Sequence, residues 1–154
     1  MAMARATQPA LPLRITVVDP IPGVWLRLQS GRADLVEASI STPSEISFDF
    51  SIRVGSSQPD GRSTFLGPFA QGPPAGRFVY VNAGARAGQL ETGWDRRAKI
   101  PLGGISPGQV SAVLREPGSF LEVRFPGRGP DGGPTCATVR LPPDAWVLRR
   151  KAAV

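Results

Sequence analysis

The sequence predicts a mostly-β domain, a small closed barrel or a two-layer sandwich of about nine strands with one short helix. Three observations predict it. Eighteen Gly and 17 Pro among 154 residues are too many for a helical bundle, yet they fall between patterned apolar runs and so mark turns. The hydrophobic share of 41% suits a single core. Apolar and polar residues alternate with period two in several runs, most cleanly in Ile46-Ser-Phe-Asp-Phe-Ser-Ile-Arg-Val54, as a strand with one buried face requires.

In chain order, Met1–Pro12 is short, small-to-polar and interrupted by proline, which predicts a disordered lead-in before a single β domain over 13–150. Leu13–Val18 and Val24–Gln29 read as strands joined through the stiff Asp19-Pro-Ile-Pro-Gly23, and Leu35–Ile40 as a third. The alternating run 46–54 follows; it turns Ile46, Phe48, Phe50, Ile52 and Val54 to one side and Ser47, Asp49, Ser51 and Arg53 to the other. Beyond an apolar loop come strands at Arg77–Asn82 and Trp94–Leu102.

Ser106 as N-cap, Pro107 at the first helical position and Pro117-Gly118 as a stop predict a helix over Pro107–Arg115, with Val110, Val113 and Leu114 as its apolar stripe. Ser119–Pro126 and Thr135–Leu141 read as a hairpin, and Ala145–Arg150 as a last strand before a basic tail at 151–154.

The loop Phe65-Leu-Gly-Pro-Phe-Ala-Gln-Gly-Pro-Pro-Ala-Gly76 combines aromatic and apolar residues with turn residues that fix its corners. It predicts a packed loop forming one wall of a pocket, with Phe65 and Phe69 as apolar contacts and Gln71 as a polar one. Arg77, Arg97 and Lys99 stand near it in sequence. Guanidinium forks suit carboxylate or phosphate, so an anionic small molecule or a peptide is the expected ligand. Solvated outer-face charges paired with Asp49 or Asp95 are the alternative use of these cations.

Composition excludes several chemistries. The chain has no histidine and a single cysteine, Cys136, so Ser-His and Cys-His nucleophile pairs, His-ligated metals and an intrachain disulfide are excluded; no cofactor or metal is expected. The charge of +6 is carried almost wholly by arginine, with lysine only at Lys99 and Lys151. Most of it is spread singly along the strands, so no specific nucleic-acid partner is expected. No apolar run approaches the ~20 residues that span a bilayer, and a cytoplasmic location is the expectation.

The run Pro59–Val81, with Arg96-Arg-Ala-Lys-Ile-Pro-Leu-Gly-Gly-Ile105 and Asp131-Gly-Gly-Pro-Thr-Cys-Ala-Thr-Val139, resembles a family of small single-domain bacterial proteins whose domain has no known function. The likeness spans about Leu13 to Arg149 and implies one bacterial domain, with no catalytic residue to carry over. The element order from Arg77 onward is also similar to small barrels of the cyclophilin-like class.

Three functions follow from these readings. The first is a binding module using the Phe65–Gly76 loop. The second is a cofactor-independent enzyme with carboxylate or tyrosine acid-base groups in a barrel mouth, for which Asp49 and Glu122 share the polar parity of their strands. The third is a basic nucleic-acid-binding barrel, which needs Arg27, Arg53, Arg97, Lys99, Arg124 and Arg140 on one surface.

Overall fold

The computed structural model describes residues 9–21, 25–29, 35–40, 44–55, 65–67, 71–72, 77–84, 96–130, 132, 139–142 and 144–151. Ten strands and one helix occur among them: β1 (Ala10–Val18), β2 (Trp25–Gln29), β3 (Leu35–Ile40), β4 (Glu45–Val54), β5 (Phe65–Gly67), β6 (Gln71–Gly72), β7 (Phe78–Gly84), β8 (Arg96–Pro101), α1 (Pro107–Arg115), β9 (Ser119–Pro126) and β10 (Val147–Arg150). They form a six-stranded sheet in the order β10-β9-β1-β4-β5-β6 and a four-stranded sheet in the order β3-β2-β7-β8.

The two sheets face each other across the core. Val17 and Phe125 of the larger sheet and Leu26, Val81, Ala83 and Ala98 of the smaller one surround a void of about 10 Å³, scarcely room for one water. This is a sandwich-like arrangement of two sheets, and no closed barrel forms among the described residues.

The alternation in β4 is realised: Phe48, Phe50, Ile52 and Val54 are buried, Ile46 is half-buried, and Ser47, Asp49, Ser51 and Arg53 are exposed. β1 pairs antiparallel with β4 and parallel with β9, and this central position buries Leu11, Leu13, Ile15 and Val17. The strand begins at Ala10, so it takes in Ala10–Pro12, which the sequence assigned to the lead-in. Pro12 is accommodated because the β9 ladder starts only at Leu13, leaving an edge where no amide donor is needed.

The expected hairpin of Ser119–Pro126 with Thr135–Leu141 is not what the described residues show. β9 is flanked by β1 over Leu121–Pro126 and by β10 over Ser119–Glu122, and the Val139 amide donates to the Lys99 carbonyl in β8 (2.9 Å). Residues 133–138, Cys136 among them, lie outside the described residues.

The helix has the predicted bounds. Ser106 Oγ accepts from the Gln109 amide (3.1 Å) and Gln109 Oε1 accepts from the Ser106 amide (3.0 Å), a reciprocal capping box. Val110 and Val113 are buried, whereas Leu114, expected in the apolar stripe, is exposed. Gly118 takes φ +85°, which ends the helix and turns the chain into β9. The Gln109 amide group then donates to the Trp146 carbonyl (2.6 Å) and the Trp146 indole to the Pro101 carbonyl (3.1 Å). These bonds tie α1 to the chain entering β10 and to the end of β8.

β1 and β9 leave the larger sheet side by side at a tight corner. Asp19 adopts φ 52°, a left-handed conformation that Asp tolerates better than most residues, and its amide donates to the Ser44 carbonyl (2.8 Å). The Gly127 amide donates to the Val18 carbonyl (2.7 Å). A Cβ at Gly127 would stand 2.7 Å from Val17 Cγ1 and 3.0 Å from Pro20 Cα, so the approach of the two strands requires glycine there.

Candidate functional site

The chemistry-bearing residues gather on the outer face of the larger sheet. Arg14 stands in register with Asp49 on one side and Glu122 on the other, so one row of three strands carries carboxylate, guanidinium and carboxylate. Arg14 Nε donates to Asp49 Oδ1 (2.6 Å) and Nη2 to Oδ2 (3.2 Å), a bidentate pair. The guanidinium lies 4.3 Å from the centroid of the Phe120 ring, within cation–π range.

The hydrogen bond to Asp49 raises the Arg14 pKa above its ordinary value, against an opposing desolvation. A raised cation contributes its full stability below its unfolded pKa and loses it only as pH rises through the folded one. For an arginine that window lies above the whole neutral range.

Glu122 is the unusual member of the face. It is 7% exposed although its parity is the outer one. Its Oε2 accepts from the hydroxyl of the fully buried Thr16 (2.7 Å), and Thr16 shares a further hydrogen bond with Ser47 (2.8 Å). Its Oε1 accepts from Arg149 Nε (3.2 Å). Arg124 Nη1 lies 3.6 Å from Oε2 and its Nη2 pairs with Glu45. Charged neighbours and a buried hydroxyl thus compensate a carboxylate removed from water.

Beside Glu122 a recess of about 200 Å³ opens between β9, β10, residues 139–142 and Ala145. Its walls include Phe125, Val139, Leu141, Ala145 and Val147, and its polar lining comprises Glu122, Arg124, Arg140 and Arg149. Glu122 engages Arg149 through Nε, which orients the guanidinium while its terminal amino groups stay clear of that bond. The Arg149 side chain is 49% exposed and Arg140 is exposed; no ion pair to Arg140 occurs among the described residues. The recess therefore joins an apolar wall to guanidinium donors around one internal counterion. A second recess, of about 260 Å³, is lined by Arg14, Asp49, Phe120 and Lys151 among others, and there Asp49 already occupies the Arg14 fork.

Among the sequence-predicted site residues, the described side chains of Phe65, Arg77 and Lys99 line neither recess. Phe65 is a core side chain, 1% exposed, in β5, which pairs with β6 to extend the larger sheet. Phe69 lies outside the described residues, and Gln71 is described through its backbone in β6, opposite Leu66. Arg77 is half-buried just before β7, and its carbonyl accepts from the Leu102 amide. Lys99 is exposed on β8 opposite Tyr80, and Arg97 stands opposite Asn82. The three cations are strung along the β7–β8 ladder of the smaller sheet.

The six cations that a nucleic-acid surface needs are likewise divided. Arg27, Arg97 and Lys99 belong to strands of the smaller sheet and Arg53 and Arg124 to the larger, and Arg27 is buried. Asp49 and Glu122 do share a face, but β1 runs between their strands, Arg14 stands between them in register, and the face is an outer one instead of a lumen. No group of three or more His, Cys, Asp or Glu side chains able to hold a metal occurs among the described residues. No described helix is long and apolar enough to cross a membrane.

Sequence reasoning missed Arg149 as a partner of Glu122 and Arg140 as its neighbour in the recess. The signal that could have found them was weak: a Glu two residues before an Arg in a largely apolar strand, and basic residues near the end of the chain.

The fold and its outer-face network define a mostly-β domain of two facing sheets. The chain belongs to the family of unknown function DUF5990, whose pattern matches residues 11–149. No curated protein and no solved structure matches it; the likeness to cyclophilin-like barrels is not supported, since no closed barrel forms among the described residues.

Proposed function

We propose that this domain is a binding module for an anionic ligand with an apolar body, seated in the recess between β9, β10, residues 139–142 and Ala145. The observation that carries the reading is the pairing of Arg149 with the buried Glu122 at 3.2 Å beside the exposed Arg140 and an apolar wall. A carboxylate or phosphate would take the remaining guanidinium donors as charge-assisted hydrogen bonds. The apolar part would lie against Val139, Leu141 and Val147. Glu122 would serve as an internal counterion that holds Arg149 extended when the recess is empty. β5 and β6 stand at the end of the larger sheet opposite β10, and on this reading they are scaffold: Phe65 fills the core.

The test is calorimetric titration with glutarate at low ionic strength, for the wild type and for Arg140→Ala and Arg149→Ala. Each arginine should be worth roughly tenfold in affinity, the value of one charge-assisted hydrogen bond. Affinity unchanged in both variants would reject the site.

A further inference from the structure

The last strand offers more than a recess wall. β10 stands at one end of the six-stranded sheet, and all four of its residues are exposed. It pairs antiparallel with β9, with Arg149 opposite Phe120, and the Lys151 amide continues the ladder by donating to the Gly118 carbonyl (2.9 Å). Antiparallel ladders alternate the direction of their backbone groups. Val147, Arg149 and Lys151 therefore turn N–H and C=O toward β9, and Leu148 and Arg150 turn theirs away. No other described segment hydrogen-bonds those outward groups.

The two sides of this edge differ in chemistry. Val147 and Arg149 share the outer face with Glu122 and Phe120 and border the recess. Leu148 lies opposite Leu121 and points the other way. Val147 and Leu148 are 41% and 38% exposed, two of the three exposed large apolar side chains among the described residues. Arg149, Arg150 and Lys151 follow in sequence, all exposed.

We infer that β10 accepts an extended acidic peptide as an added strand, its backbone paired with Leu148 and Arg150. Its carboxylates face Arg149 and Arg140, and its alternate apolar residues face Leu148. This rests on the anion-binding reading of the recess and names the ligand class. Strand addition takes affinity from main-chain hydrogen bonds and specificity from alternate side chains, and this edge supplies both. A second copy of the chain fits poorly, because it would bring a second Arg149–Lys151 run of like charge beside the first. A nucleic acid fits poorly too: each described aromatic side chain is buried or half-buried, so none of the described aromatics offers a platform on which bases stack.

The test uses the full chain and the peptide acetyl-Glu-Val-Glu-Val-Glu-Val-amide, read by amide hydrogen exchange. The expected result is exchange slowed at least tenfold at Leu148 and Arg150. The fully N-methylated analogue and the Lys-Val counterpart should leave it unchanged. Absence of slowing while glutarate still binds would overturn strand addition alone, and assign Arg149–Lys151 to protecting the edge. Absence of both would overturn the recess as well. Tighter binding of oligothymidylate than of the peptide, or self-association in sedimentation that Leu148→Pro abolishes, would give the edge to a different occupant and refute the inference.

Discussion

Replacing Glu122 should move stability and anion affinity in opposite directions. Glu122→Ala removes the acceptor of the Thr16 hydroxyl, a buried charge-assisted bond of 2.7 Å, worth about 1.5–3 kcal/mol. It also removes contacts to Arg149 and Arg124, whose side chains are 49% and 41% exposed; such half-solvated pairs are worth about 0.2–1 kcal/mol each. Thr16 keeps its bond to Ser47, so no polar group is orphaned, and the total loss should be roughly 2–5 kcal/mol. Glu122→Gln keeps an acceptor while losing the charge and should cost nearer 1 kcal/mol, about the worth of one ordinary hydrogen bond.

Urea unfolding of both variants, with Thr16→Val to close a double-mutant cycle, measures these terms. The same Glu122→Gln change removes a resident negative charge from the recess. At about 6 Å and an effective dielectric constant near 20 a like charge opposes a ligand anion by at most ~3 kcal/mol. With solvent screening, glutarate should bind at least about threefold more tightly to Glu122→Gln. Glu122→Ala within about 0.5 kcal/mol of wild type, the range of a neutral surface change, would refute the buried-network account. Weaker glutarate binding to Glu122→Gln would refute the role of Glu122 as a competing counterion.

Three further outcomes follow from the fold. Phe50→Ala should cost about 3–5 kcal/mol in thermal or urea melts, as expected of a buried phenylalanine, and Ser51→Ala should be nearly silent; equal tolerance would contradict the orientation of β4. Gly127→Ala forces a Cβ to within 2.7 Å of Val17 and 3.0 Å of the Pro20 backbone, and should cost about 1–3 kcal/mol, with a corresponding fall in melting temperature. Ser106→Ala breaks the capping box and should cost about 1 kcal/mol by urea unfolding, with loss of protection at the Gln109 amide.

Local patterns were legible in the residues and long-range pairing was not. The unbroken alternation from Ile46 to Val54 allowed only one orientation of β4, because a one-residue slip would bury Asp49 and Arg53. Ser106, Pro107 and Gly118 bounded the helix because caps act through their immediate neighbours. The parallel pairing of β1 with β9 joins residues more than a hundred positions apart, and no spacing rule within either strand specifies it. That pairing places Glu122 in the row of Arg14 and, through β10, within reach of Arg149, so the candidate site was invisible without it. Proline and glycine in Phe65–Gly76 were read as loop punctuation, but short β5 and β6 form there because three- and two-residue strands need few unbroken amides. Leu114 falls outside the buried stripe because α1 packs on β1 and β9 through a narrow face, Val110 and Val113.

The most direct test of the anion-binding claim is a crystal structure of the wild-type protein soaked with 4-bromobenzoate, using the anomalous signal of bromine to locate the ring. The account predicts the carboxylate within hydrogen-bond distance of Arg140 and Arg149, with the ring against Val139, Leu141 and Val147. The same soak of Arg140→Ala/Arg149→Ala should lose the peak. A carboxylate settling instead on Arg77 and Lys99 beside the smaller sheet, or a peak in the recess undiminished by the double substitution, would contradict it.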